Sequence, residues 1–265
     1  MQRRKFLQAS VLAGTGAGIM PLIGVSATTG EPIKKNKQEF YELREYSFSN
    51  DAQQKLVEQY LESAAIPAWN RMGSKNIGVF RELEAKGQPK LFVMIPYTSL
   101  DAFHNRRENL LSDKIYQQSA DTYLKATTAA PAYARIQSSL MKAFSSMPQI
   151  AIPAKQPRLL ELRRYESHSE FASQQKIRMF GEGGEIEIFR RVGLDPVFFG
   201  ETLIGERQPN ITYMIAFDDM AEHDKNWKAF GADPEWVRIK DLPEYANTVS
   251  TITRTFLSPA EFSQI

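Results

Sequence analysis

Tyr41-Glu42-Leu43-Arg44-Glu45-Tyr46 returns later in the chain as Leu160-Glu161-Leu162-Arg163-Arg164-Tyr165, so Glu-Leu-Arg-x-Tyr is written twice. On a strand, alternate side chains point to opposite faces. Glu42, Arg44 and Tyr46 therefore share one face, and Glu161, Arg163 and Tyr165 share another. An acid, a guanidinium and a phenol in a row are too polar for an ordinary core face and too regular for a loop. Each row needs a polar partner.

Working outward from the first copy, the strand spans about Phe40 to Phe48, and Asn50 or Asp51 supplies a cap for the helix that follows. Leu56, Val57, Tyr60, Leu61, Ala64 and Ala65 form one apolar helical stripe, disturbed at Pro67 and ended by Gly73. Ile77 to Leu83 and Leu91 to Tyr97 read as strands around the turn Gly87-Gln88-Pro89. Ser99 caps a helix from Leu100 to Leu110, Asp113 starts another to about Lys125, and Ala134 to Phe144 is the last strand. The order is β-α-β-β-α-β with an extra helix. A constant offset of 120 then maps Ile66, Trp69, Arg71 and Gly73 onto Ile186, Phe189, Arg191 and Gly193. The same offset maps Leu91–Tyr97 onto Ile211–Phe217 and Asp113 onto Asp233. Such a constant offset marks a duplication of a whole small domain.

The chain divides into an export signal (1–27), a polar leader (28–39), a first repeat (40–146), a proline-rich linker (147–157) and a second repeat (158–265). The signal is read from Arg3-Arg4-Lys5, the apolar run Phe6 to Ile23 and the small residues Val25-Ser26-Ala27. Arg3-Arg4-Lys5-Phe6-Leu7 resembles the twin-arginine motif, with Gln2 and Gln8 departing from its fuller form; a Sec signal with paired arginines is the alternative. Both routes imply a periplasmic or secreted protein.

Composition removes several classes of function. The 265 residues are 42% hydrophobic and 24% charged, the balance of a soluble globular chain. The absence of cysteine excludes disulfides, thiolate metal sites and a cysteine nucleophile. Cleavage after Ala27 removes three cations and no acid, which takes the formal net charge from +2 to −1. A near-neutral mature chain gives no electrostatic case for nucleic acid or for an anionic membrane, and no membrane span is expected once the signal is gone. A higher oligomer stays open.

A β-α-β-β-α-β unit makes a four-stranded antiparallel sheet with helices on one face only. The bare face needs a cover, and a second copy supplies it. The expected fold is thus α+β: two tandem ferredoxin-like repeats forming an intramolecular α/β barrel. Glu42, Arg44, Tyr46, Glu161, Arg163 and Tyr165 are expected to face each other inside it, with Leu43 and Leu162 under the helices. The Glu-Leu-Arg-x-Tyr strands and Asn226-Trp227-Lys228-Ala229-Phe230-Gly231-Ala232-Asp233-Pro234-Glu235-Trp236 resemble the NIPSNAP family of the dimeric α/β-barrel superfamily. The resemblance covers roughly residues 40 to 257. The first copy departs from it, with Asn109, Leu110, Asp113 and Tyr116 standing where the second has Ala229, Phe230, Asp233 and Trp236. The family implies this fold and no agreed reaction.

The rows admit two readings. Arg44 or Arg163 holds an anionic ligand by its bidentate fork while Tyr46, Tyr165, Glu42 or Glu161 carries a proton. Alternatively Glu42 pairs with Arg163 and Arg44 with Glu161 across the barrel, since buried carboxylates and arginines are normally paired. Three histidines, His104, His168 and His223, lie at helix or turn positions without metal-ligand spacing and are expected at the surface. No metal and no cofactor is expected, haem included, because none of the three falls on an inward strand position. Gly181-Glu182-Gly183-Gly184 is read as a helix break, and Trp69, Trp227 and Trp236 as packing anchors. The reading as a whole is an exported protein that binds a small molecule between its sheets, an anion being one candidate. The alternatives are a cofactor-independent monooxygenase or isomerase, and a structural module with a filled barrel.

Overall fold

The computed structural model describes residues 37–265 apart from 85–86 and 155–157; the signal and almost all of the leader lie outside the described residues. In the first repeat, β1 (Phe40–Ser47) leads into α1 (Asp51–Tyr60), where the Asn50 side chain accepts from the Gln53 N–H at 3.0 Å. The stripe continues through a π-helical turn (Leu61–Ala65) into α2 (Ile66–Arg71). Pro67 has no N–H to give, and the wider turn absorbs that loss without breaking the helix. Gly73 then turns the chain at φ +92°, a left-handed conformation that costs glycine nothing. After it come β2 (Gly78–Glu82), β3 (Lys90–Tyr97), α3 (Leu100–Ser112), α4 (Lys114–Ser119), α5 (Asp121–Leu124) and β4 (Arg135–Ala143).

The second repeat gives β5 (Leu159–Glu166), α6 (Glu170–Gly181), α7 (Glu185–Arg191), β6 (Asp195–Ile204), β7 (Asn210–Phe217), α8 (Met220–Ala232), α9 (Pro234–Ile239) and β8 (Thr251–Pro259). Gly184, at φ +85°, sits between α6 and α7, so the glycine run is a helix break. The duplication reaches the side chains: Arg71 bonds Asp113 at 2.5 Å, and Arg191 bonds Asp233 at 2.8 Å, each tying the end of the first helical segment to the cap of the later one.

Each repeat forms a four-stranded antiparallel sheet, and the sheets join edge to edge into one closed barrel, β1-β3-β2-β8-β5-β7-β6-β4. The seams are β2 with β8, where Arg81 pairs with Ser258, and β4 with β6, where Lys142 pairs with Glu201. Closure removes the unpaired strand edges that an open sheet would leave for aggregation. Three apolar clusters result. One lies under each helical layer and is built mostly from a single copy; Ala260 and Phe262 of the C-terminus join the first, and Phe144 and Met147 join the second. The third fills the barrel with residues of both copies, among them Tyr41, Leu43, Met94, Leu160, Leu162 and Met214.

Candidate functional site

The barrel interior overturns one expectation. Tyr41 and Leu43 of β1, with Leu160 and Leu162 of β5, point into the barrel. Glu42, Arg44, Tyr46, Glu161, Arg163 and Tyr165 point outward, beneath the helices of their own repeat. Period-two alternation tells which residues share a face but not which face is inside. The helical layer turns out to be the polar partner of the rows, because the helices bring their own charges and indoles to meet them.

In the first repeat Glu42 is 3% exposed and takes both Nε (2.8 Å) and Nη2 (3.1 Å) of Arg44. Tyr97 (3.0 Å) and Ser138 (2.8 Å) also donate to it, and Arg106 of α3 approaches to 3.3 Å. Burial pushes the Glu42 carboxyl up, but Arg44, Ser138 and Arg106 outweigh it and hold the group below its ordinary range. The Arg44 guanidinium lies 5.1 Å over Trp69. Tyr46 packs edge-on against Tyr133 at 5.6 Å.

In the second repeat Glu161 is fully buried and accepts from Arg163 Nη1 (2.7 Å) and Trp227 Nε1 (2.9 Å), with His223 Nε2 at 3.4 Å. Arg163 Nη2 donates to Tyr165 (3.1 Å), Tyr213 donates to the same phenol (2.8 Å), and the guanidinium stacks 4.2 Å over Trp227. The ion pairs therefore form within each row, Glu42 with Arg44 and Glu161 with Arg163, and not across the barrel. Trp69 and Trp227 anchor the layers and also cover the arginines. His223 is buried against Glu161, contrary to the surface position expected of it, whereas His104 and His168 are exposed. A further buried pair, Lys176 with Glu185 at 2.6 Å, has Leu56 and Ala65 at the offset positions of the first copy.

What faces the barrel beside the interior leucines is the residue the motif leaves free, Glu45 in one copy and Arg164 in the other. Toward that end the apolar filling stops and a cavity of about 290 Å³ opens. The first repeat lines it with Glu45, Glu82, Lys90, Phe92 and Gln137. The second contributes Leu162, Arg164, Glu206 and Arg207, the hydroxyls of Thr253 and Thr255, and Thr212, whose own hydroxyl donates to Asn210 at 3.4 Å. Cavities at Tyr123 to Tyr133 (about 420 Å³) and around Gln174 and Asn210 (about 290 Å³) each draw on one repeat alone.

The charges of the barrel mouth are mostly committed. Glu45 holds Lys90 at 2.6 Å, Glu206 accepts from Gln137 at 2.6 Å, and Arg207 reaches Glu166 at 3.2 Å. The half-buried Arg164 guanidinium makes no hydrogen bond or ion pair with a described residue, and neither does the Glu82 carboxylate. Among the described residues, the mouth thus presents one cation without a partner from the second repeat, Arg164, and one such acid from the first, Glu82. Sequence reasoning missed both, although the unlike residues at the x position of a repeated motif were the signal. None of the three histidines lines this cavity.

An eight-stranded barrel closed by two β-α-β-β-α-β repeats of one chain places the protein in the dimeric α/β-barrel class, with both halves fused. The NIPSNAP family model matches residues 41–148 and again 160–264. The chain belongs to the NIPSNAP family. Among solved structures, a candidate monooxygenase from Lactobacillus acidophilus superposes with a TM-score of 0.54 at 10% identity, over 84% of this chain and 94% of that one. One from Fusobacterium nucleatum gives 0.52 at 10% identity, over 84% and 92%. A NIPSNAP family protein of unknown function from Agrobacterium tumefaciens is 21% identical over 42% of this chain and 95% of its own, with a TM-score of 0.37. The first two likenesses are those of a shared fold. Comparison with curated proteins finds no match. Among the described residues no helix is long and apolar enough to cross a membrane.

Proposed function

We propose that this protein binds a small anionic molecule in the barrel mouth, with Arg164 as the anion holder. The observation that carries the reading is the half-filled barrel: apolar side chains of both repeats close one part, and the rest is a cavity of about 290 Å³ beside a guanidinium that pairs with no described residue. That volume is near the lower end of ordinary ligand pockets, roughly 300–1,000 Å³. Arg164 offers a planar fork suited to a carboxylate, the threonines offer hydroxyls, and Phe92 with Leu162 offers an apolar surface for the remainder of the molecule. Arg44 and Arg163 have no such part, because each is already spent on a glutamate of its own row. The N-terminal residues support the further proposal that binding takes place outside the cytoplasm.

Thermal-shift screening of small aromatic acids and quinones, followed by calorimetry on the hits, tests the reading. Arg164→Gln should weaken a carboxylate by about 1.5–3 kcal/mol, the worth of a charge-assisted hydrogen bond, or roughly tenfold to a hundredfold. An affinity unchanged by Arg164→Gln would rule out this site. A barrel that takes up no member of the panel would favour the structural-module alternative.

A further inference from the structure

We propose that Glu82 is the proton carrier of the barrel mouth, and that the molecule it serves is a small carboxylate with an acidic C–H beside a carbonyl. The proposal rests on the binding reading above and assigns a reaction to the same cavity. Three observations on Glu82 lead to it.

First, the other two acids lining the mouth are occupied, Glu45 by Lys90 and Glu206 by Gln137, whereas Glu82 bonds no described residue. Second, the fold does not require an acid there. At the offset of 120, Glu82 and Lys90 correspond to Thr202 and Asn210, and these two bond each other at 2.7 Å. One repeat satisfies this strand pair with a neutral hydrogen bond, while the other keeps an ammonium and a carboxylate in the cavity, the latter bonded to no described residue. Third, the surroundings suit a base. Burial lifts the Glu82 carboxyl above its ordinary range, Lys90 pulls it back and Glu45 lifts it again, and the balance is upward. A carboxylate raised in this way is a stronger base.

Arg164, on the opposite repeat, holds the substrate carboxylate. Glu82 takes the proton from the carbon next to the carbonyl, and the C–H electron pair moves into the carbon–carbon bond as the carbonyl π pair moves onto oxygen. Lys90 and the threonine hydroxyls are the donors available to that developing oxyanion. Glu82 then returns the proton to the same carbon or to the neighbouring oxygen. The step is a proton transfer without net oxidation, and it uses groups present in the cavity.

Phenylpyruvate is a suitable probe, since its ring suits Phe92 and Leu162 and its C3 protons are acidic. Exchange of those protons in D2O, followed by proton NMR on the purified full chain, should run faster than in buffer. The rate should fall about a hundredfold in Glu82→Gln while phenylpyruvate affinity stays within about threefold, which is the contribution expected of one positioned base. Glu82→Thr, which copies the second repeat, should behave alike and guards against a folding defect peculiar to the glutamine variant. In the wild-type chain the rate should rise with pH through the titration of Glu82, a group that meets Glu45 and Lys90 and shares the cavity with Arg164, Glu206 and Arg207. Bound phenylpyruvate exchanging at the buffer rate, or at a rate indifferent to Glu82, overturns this proposal and leaves the binding site standing. Failure to bind phenylpyruvate overturns it too, and failure of the whole carboxylate panel removes the binding reading with it.

Discussion

Removing Glu161 tests the placement of the polar rows most directly. Its carboxylate is fully buried and answers Arg163 at 2.7 Å and the Trp227 indole N–H at 2.9 Å. Glu161→Leu strands a guanidinium that is 8% exposed, together with an unsatisfied indole. Breaking one side of a buried pair costs about 3–5 kcal/mol, a large part of a domain stability of about 5–15 kcal/mol. Arg163→Met strands the carboxylate and should cost a similar amount. The double variant replaces both charges with apolar groups, so its loss should fall well short of the sum, with a coupling of about 2–3 kcal/mol. Urea unfolding followed by far-UV circular dichroism measures all four stabilities, and constant slopes confirm that the folded and unfolded states are comparable. Arg44 provides the control. It sits under the other helical layer, paired with Glu42, so Glu161→Leu with Arg44→Met should be additive within about 0.5 kcal/mol. A coupling above about 1 kcal/mol between Glu161 and Arg44 would mean that the rows meet across the barrel, and the geometry argued above would be wrong.

Three further outcomes follow from the same structure. Glu42 has a folded pKa below its unfolded value, so its contribution is present above about pH 4.3 and is lost as pH falls through the depressed folded value. Glu42→Gln should therefore flatten the fall in stability between about pH 5 and pH 3, as read from urea midpoints at several pH values. Gly73→Ala meets no atom within 4 Å and should cost only the left-handed backbone strain, about 1–2 kcal/mol. Gly193→Ala should cost more, because its Cβ would stand 3.1 Å from the Asn226 amide that donates to the Gly193 carbonyl at 2.8 Å; denaturant melts of both variants decide this. For the buried Lys176–Glu185 pair, Lys176→Met alone should destabilise by about 3–5 kcal/mol, while Lys176→Met with Glu185→Leu should be neutral or stabilising in thermal melts.

Much of the architecture was legible. Strand and helix positions followed from alternation, from Asn50 and Ser99 as caps and from Gly73 and Gly193 as terminators, all local effects of a few residues. The constant offset of 120 made the second repeat predictable from the first, down to Arg71 with Asp113 and Arg191 with Asp233. The burial of His223 was not legible, because a histidine near the start of a helix gives no sign of an acid arriving from a strand far away in sequence. The cavity was hidden for the same reason: Glu82, Phe92, Arg164 and Thr253 are scattered along the chain and meet only when the seam between β2 and β8 closes.

Glu-Leu-Arg-x-Tyr divides the two kinds of information. By itself the sequence determined that Glu42, Arg44 and Tyr46 lie on one face of a strand and Leu43 and Glu45 on the other, since alternation is a property of the local backbone. Only the tertiary structure decided which face turns inward. That choice depends on what the helices bring to the outer face, namely Arg106 and Trp69 in one repeat and Trp227 and His223 in the other. With those partners the acids and arginines can be buried under the helices, and the barrel is left to the leucines, to Glu45 and to Arg164.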